Sequence, residues 1–266
     1  MTMPTPTVHD SPLPVAFDVP PINPAPGGLF AAVDWQPSDG PSRFLTGVEL
    51  RGMNFPGDQV GVWDVPWCGV PVLDGPRKEG TRGDVLDPFE PVTVWAFDAC
   101  DLTAPSRAEV EQRAAQALRM RESVVVARQF ATRLLADAAV LSGVIPTATD
   151  VVAALSTIEG EFSESNALGY VHASPDWLPV LVSAQLLTRS GARWTTPGGH
   201  ALVLDGGYRA GLGATMIATS APLLGWRDGV VTRTSLDERQ NLYVAIAERS
   251  VLVSYEAVVA AVEIAP

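Results

Sequence analysis

A single amphipathic stretch, residues 107–141, constrains this chain more than any other feature. Apolar residues recur at Val110, Ala114, Ala117, Met120, Val124, Ala127, Ala131, Leu134, Ala138 and Leu141, the three-and-four spacing that lines one face of a helix. At about 1.5 Å per residue that helix measures roughly 50 Å, well beyond the usual three turns. It spans a body rather than plugging a small core. Ser106 followed by Glu109 reads as a capping box at its start, and Gly143 with Pro146 closes it.

The flanks of this rod differ. Residues 1–28 are dense in proline and poor in apolar side chains, which predicts an extended arm with no core of its own. Strand-like runs at 43–51 and 59–65, separated by Gly52, Pro56, Gly57 and Asp58, suggest a hairpin, and 66–88 reads as a long exposed loop. A strand at 91–97 leads into the helix.

Beyond Gly143, Thr147 with Asp150 caps a short helix over 148–158, and 169–173 is a buried strand. A second helix is expected over 175–188, with Pro175 in its first turn and Pro179 as an interruption. A hairpin joins 194–196 to 201–204 through Pro197, Gly198 and Gly199, and strands follow at 214–219 and 229–234. The Val- and Ile-rich runs 242–247, 251–255 and 257–264 need a partner, and the 91–97 strand is the natural one. The chain then divides into one discontinuous unit, 89–143 with 238–266, and an insertion, 144–237.

With 266 residues and 47% hydrophobic residues, the chain can build a substantial core. Its formal charge of -12 argues against binding nucleic acid through phosphate neutralisation, which needs a basic surface. Lys78 is the sole lysine, in a glycine-rich loop. Cys68 and Cys100 form no CxxC and have no zinc-type histidine spacing, so no metal or other cofactor is expected. Residues 1–26 lack a signal-peptide pattern, and no run is apolar enough to cross a bilayer, so two reduced thiols in a cytosolic setting and no membrane partner are the expectation.

Catalytic candidates are few. His9, His172 and His200 are the only imidazoles, and His172, Ser174 and Asp176 alternate along one segment. A triad needs convergence in space, and alternate strand residues lie side by side, so Ser174 reads better as a cap ahead of Pro175. Gly206, Gly207, Gly211 and Gly213 do not have dinucleotide or P-loop spacing and read as a loop anchored by Tyr208. Glu159, Glu161 and Glu164 flank Gly160 and read as a solvated helix end rather than a calcium loop. No enzymatic activity is expected.

This order of parts resembles the major capsid proteins of tailed phages of the Hong Kong 97 type, a fold shared with encapsulin shells. Local segments carry the same texture, with an actinobacteriophage flavour: Arg43-Phe44-Leu45-Thr46-Gly47-Val48, Pro88-Phe89, Tyr170-Val171-His172-Ala173-Ser174-Pro175, Gly206-Gly207-Tyr208 and Ala247-Glu248-Arg249-Ser250-Val251-Leu252-Val253. The resemblance implies an α+β subunit with an N-terminal arm at 1–28 and an extended-loop region at 29–88. It further implies a peripheral domain at 89–143 and 238–266 carrying a spine helix, 107–141, and an inserted axial domain at 144–237.

Several functional expectations follow from that resemblance. The chain would assemble with itself into hexamers and pentamers of an icosahedral head shell, in the virion capsid after assembly in the host cytoplasm. It would enclose double-stranded DNA without binding it specifically. Scaffolding, if used, would be a separate chain, since only a short arm precedes the loop, and portal and decoration proteins would be further partners. Some family members join a loop lysine to a peripheral-domain asparagine of another subunit with help from a glutamate. The positions here are Lys78, Asn241 and Glu248, which otherwise read as a loop lysine, a turn residue and a strand-edge charge. The alternatives are an encapsulin-like compartment, a minor head or adaptor protein and, from another class, a hydrolase using His172 and Ser174.

Overall fold

The computed structural model describes residues 17–37, 42–55, 59–63, 68–69, 75, 77–83 and 85–265. Expectations for 1–16, including His9, and for residues 56–58, 64 and 65 of the hairpin lie outside the described residues. In chain order come a helical turn α1 (Leu29–Ala32), β1 (Val33–Trp35), a 3-10 turn at Arg43–Thr46, β2 (Val92–Cys100) and the long α2 (Ala104–Ser142). Next are β3 (Thr147–Ala148), α3 (Val151–Ser165), β4 (Gly169–Ala173), a 3-10 turn at Pro175–Trp177 and α4 (Leu178–Ser183). The chain continues through β5 (Thr188–Ser190), β6 (Arg193–Thr195), β7 (Ala201–Leu204), α5 (Gly206–Gly211) and β8 (Thr215–Ser220). It ends with β9 (Leu223–Arg227), β10 (Val231–Asp237), β11 (Leu242–Ser254) and β12 (Val258–Ile264).

Helix α2 has 39 residues and starts before Ser106. Thr103 is the extended N-cap, its Oγ1 donates to Ser106 Oγ at 2.9 Å, and Pro105 sits in the first turn. The Ser106–Glu109 box is therefore inside the helix, because the fixed φ of proline suits a first turn and lets the helix begin earlier. Gly143 ends it with φ +66° and donates to the Ala139 carbonyl at 3.0 Å. The buried stripe is Val110, Ala114, Leu118, Val126, Ala127, Phe130, Ala131, Leu134 and Ala138, whereas Ala117 and Leu141 are exposed. Steps of four overshoot a 3.6-residue turn, so the stripe winds around the rod as its partners change from β2 and β11 to α5, β8 and β12.

Two sheets share the body. The five-stranded sheet runs β1-β9-β11-β10, with β2 on the free side of β11. The pairing of the late strand with the 91–97 region is present, from Val92 opposite Val251 to Cys100 opposite Tyr243, antiparallel. The seven-stranded sheet runs β3-β12-β8-β4-β7-β6-β5 and includes the 193–204 hairpin.

The division of strands differs from the expected one at three places. Strands β9 and β10, within 144–237, hydrogen-bond to β11 in the five-stranded sheet, while β12, within 238–266, lies in the seven-stranded sheet between β3 and β8. The cause is β11: at 13 residues it is one long strand, with room for β10 along its first half and β9 along its end. A turn at 255–257 then sends the chain across, held by Ser220 Oγ, which accepts from the backbone N–H groups of Glu256 and Ala257 at 3.1 and 3.0 Å. Residues 29–35, expected in the extended-loop region, belong to the body: Leu29 is fully buried and β1 runs parallel to β9.

Helix α3 is capped by Asp150, whose Oδ1 accepts from the N–H groups of Val152 and Ala153 at 2.9 Å each. It passes Gly160 and stops at Asn166, which is left-handed with φ +50°. Glu159 and Glu161 therefore lie within the helix and Glu164 in its last turn, and Thr147 belongs to β3. The expected helix over 175–188 is reduced to α4, since Pro179 and the left-handed Gln185 confine it. At 43–51 a 3-10 turn and one bridge, Val48 to Phe89, replace the expected strand. A lone two-stranded hairpin is marginal in water.

Candidate functional site

A buried polar cluster of His172, Tyr208 and Thr219 lies where α2, α5, β4 and β8 meet. His172 is fully buried, its Nδ1 is 2.9 Å from the Tyr208 hydroxyl and its Nε2 is 2.9 Å from Thr219 Oγ1. Loss of hydration pushes its pKa down to about 3, so the ring is neutral. Ser174 is turned elsewhere: its hydroxyl contacts Asp176 Oδ2 at 3.2 Å and caps the Pro175–Trp177 turn. Both imidazole nitrogens are occupied, so His172 has no free lone pair for Ser174 and the hydrolase reading falls. His200 stacks on Phe162 at 3.8 Å, takes the Gly169 N–H on Nδ1 and faces Glu159 at 3.6 Å. It is a core residue; burial lowers its pKa and Glu159 opposes that shift.

Helix α5 replaces the expected glycine loop. Asp205 caps it, and a Cβ at Gly207 would lie 2.3 Å from the Val124 carbonyl oxygen of α2. Glycine is what lets two backbones come this close. Asp205 has a second role: one carboxylate oxygen accepts from Gly207 N–H and the other from Leu29 N–H, each at 2.9 Å. Burial raises its carboxyl above the ordinary range, against those two bonds. Asp205 thereby fixes the root of the N-terminal arm. Farther out, the arm follows α2, with Gln116 donating to the Ile22 carbonyl at 2.7 Å and Arg119 to Asn23 Oδ1.

The extended loop is fixed differently. The Glu256 carboxylate, on the turn between the two sheets, accepts from Asn54 N–H at 2.6 Å and from Asn54 Nδ2 at 2.5 Å. At the loop's other root Arg133 donates to the carbonyls of Asp87 and Pro88 at 2.6 and 3.0 Å and pairs with Asp137 at 2.8 Å. The sequence reading missed Asp205 and Glu256. An Asp directly before Gly-Gly-Tyr is an N-cap signal, but nothing local marks Glu256.

Lys78, Asn241 and Glu248 do not meet within one subunit. Lys78 is exposed, with Nζ 5.1 Å from the centre of the Trp63 ring. Asn241 is exposed and left-handed, φ +52°, at the β10–β11 turn. Glu248 lies mid-strand and pairs with Arg233 at 2.7 Å. At about 3.4 Å per residue, the strand from Leu242 to Glu248 already spans roughly 20 Å. Cys68 and Cys100 are free and exposed.

No family model and no curated protein matches this chain. Among solved structures it is similar to a chain from the asymmetric unit of the bacteriophage PhiM1 mature capsid, at 12% identity and TM-score 0.53, covering 97% of this chain and 92% of that one. Similarity to the capsid of a native GTA particle has TM-score 0.54 at 8% identity, covering 97% and 95% of the two chains. A chain of Microbacterium phage Oxtober96 gives TM-score 0.51 at 12% identity, covering 97% and 96%. The chain has an α+β phage-capsid fold.

In this capsid fold several of the most exposed apolar side chains lie on the arm and the loop, beside Val140 and Val144 at the end of α2. Phe17 and Val19 on the arm are 84% and 81% exposed, and Met53, Val60 and Val62 on the loop are 92%, 83% and 94% exposed. Trp95 and Phe97 on β2 are likewise 64% and 54% exposed, on an edge strand.

Proposed function

We propose that this chain is the major capsid protein of a tailed bacteriophage, assembling with itself into the hexamers and pentamers of an icosahedral head around double-stranded DNA. Its location is then the virion capsid, after assembly in the host cytoplasm. One observation carries the reading: the arm and the loop hold Phe17, Val19, Met53, Val60 and Val62 more than four-fifths exposed, without cover within the subunit. Extended segments that lie on neighbours add buried area without enlarging the core. A net charge of -12 keeps the shell from gripping packaged DNA. The role is structural, and its principal partner is further copies of itself. The arm, extended loop, peripheral and axial parts retain their proposed roles, with β9 and β10 reassigned to the sheet of β11 and β12 to the other.

Negative-stain microscopy of the recombinant chain tests this directly. Closed shells are expected, and a chain that stays monomeric at every concentration sinks the proposal. Lysine linkage is a narrower proposal: Lys78 of one copy attacks the Asn241 amide of another, releasing ammonia, while a carboxylate takes the proton. Lys78 and Asn241 are both exposed, as the reaction requires, but Glu248 must first leave Arg233. Denaturing gels of assembled particles decide it. Multiples of 28.2 kDa support the bond, and a single band at that mass removes it.

A further inference from the structure

A cavity of about 370 Å³ opens where the root of the arm crosses the middle of α2 near the end of β9. Pro24, Phe30, Leu118 and Val230 give it apolar walls, but its charges are unbalanced. The guanidiniums of Arg119, Arg227 and Arg249 share one carboxylate, Glu122, so three positive groups and one negative leave +2 in a chain of formal charge -12. That carboxylate is already committed: both Glu122 oxygens accept from Arg249, at side-chain exposures of 5% and 17%.

The other two guanidiniums have no carboxylate partner among the described residues. Arg119 meets only the neutral side-chain oxygen of Asn23. Arg227 lies over the Trp35 ring, 4.4 Å from its centre. Burial, and after it the like charge of Arg249, pushes Arg227 below the usual guanidinium range, while Glu122 pulls the other way. Arginine keeps its proton even so. A half-buried cation between apolar walls gains most from an acid that arrives already desolvated and accepts two parallel N–H bonds.

We propose that this cavity receives a carboxylate-bearing segment of a second copy of the chain, with Arg227 as its principal contact and Arg119 at its rim. The proposal rests on the shell reading and says how copies of like charge hold together: subunits that repel overall need local sites of opposite sign to set their register. Nucleic acid is the weaker fit. A phosphate backbone is neutralised along an open row of cations, and here they line a single pocket on an acidic chain.

The test is assembly of the full chain, followed by light scattering and microscopy, with the melting temperature of the unassembled subunit measured in parallel. Arg227→Gln is expected to need about tenfold more subunit to form particles at an unchanged melting temperature. Arg227→Lys keeps the charge but loses the paired N–H contact, and is expected to lie between Arg227→Gln and wild type, while Arg227→Glu is expected to block assembly. Particle formation by Arg227→Gln at wild-type concentration overturns the proposal alone. Arg227-dependent binding of a 20-base-pair DNA duplex would make nucleic acid the occupant. A wild-type chain that never assembles removes both the pocket's role and the shell reading.

Discussion

The seam between the sheets and the base of the extended loop both hold chain segments with a carboxylate, and they do it under opposite conditions. Asp205 is buried, 5% exposed, and each of its oxygens has a backbone N–H partner. Glu256 makes its two bonds to Asn54 at the surface, where water competes for every one of them. Removing a buried acceptor strands its donors, whereas removing an exposed one hands them to solvent. The arm root is thus built in permanently, and the loop is held only lightly.

The largest effect expected is at the seam. Asp205→Ala leaves the Leu29 and Gly207 N–H groups buried without an acceptor, and denaturant unfolding should show a loss of roughly 2–4 kcal/mol. Asp205→Asn retains one good acceptor and should lose about half as much. A change below about 0.5 kcal/mol for Asp205→Ala would erase the distinction between the two anchors.

His172 gives the seam a pH dependence of comparable size. Its folded pKa is about 3 against an ordinary 6.5, so the unfolded chain takes up a proton first as pH falls. Its contribution to stability is present above 6.5 and is lost as pH drops toward 3, at up to about 1.4 kcal/mol per pH unit. Unfolding curves between pH 7 and pH 4 should be less steep in pH for His172→Gln than for wild type. Parallel slopes would mean that the ring takes up its proton without leaving the Tyr208 and Thr219 contacts.

The same contrast explains what could be read from residue order. Helix α2 was legible because its period is local, although Pro105 moved its start and steps of four moved its inner face to Leu118. The β2–β11 pairing was legible from Val- and Ile-rich runs. The crossing of β12 was not, since the 255–257 turn depends on Ser220, far away in sequence. Helix α5 reads as a loop because six residues rich in glycine make no helix unaided; it forms against the α2 backbone. Rejecting His172 and Ser174 as a catalytic pair needed only strand geometry. Glu256 with Asn54 and Arg249 with Glu122 join residues 202 and 127 positions apart, and no pattern along the chain announces them.

The smallest effect on stability is expected where the loop is held. In Glu256→Ala the carboxylate that accepts from Asn54 is gone, but both donors lie at the surface and turn to water, so unfolding free energy should change by no more than about 0.5 kcal/mol. Local opening should respond instead: exchange of the Asn54 amide hydrogen in the unassembled subunit should quicken by about tenfold, while amides of β11 keep wild-type protection. Both outcomes together would set the loop apart from the cooperative body. A loss of global stability in Glu256→Ala as large as that in Asp205→Ala would instead make the loop part of that body. In that case the turn between the sheets, which carries Glu256 and leans on Ser220, would be a second permanent anchor.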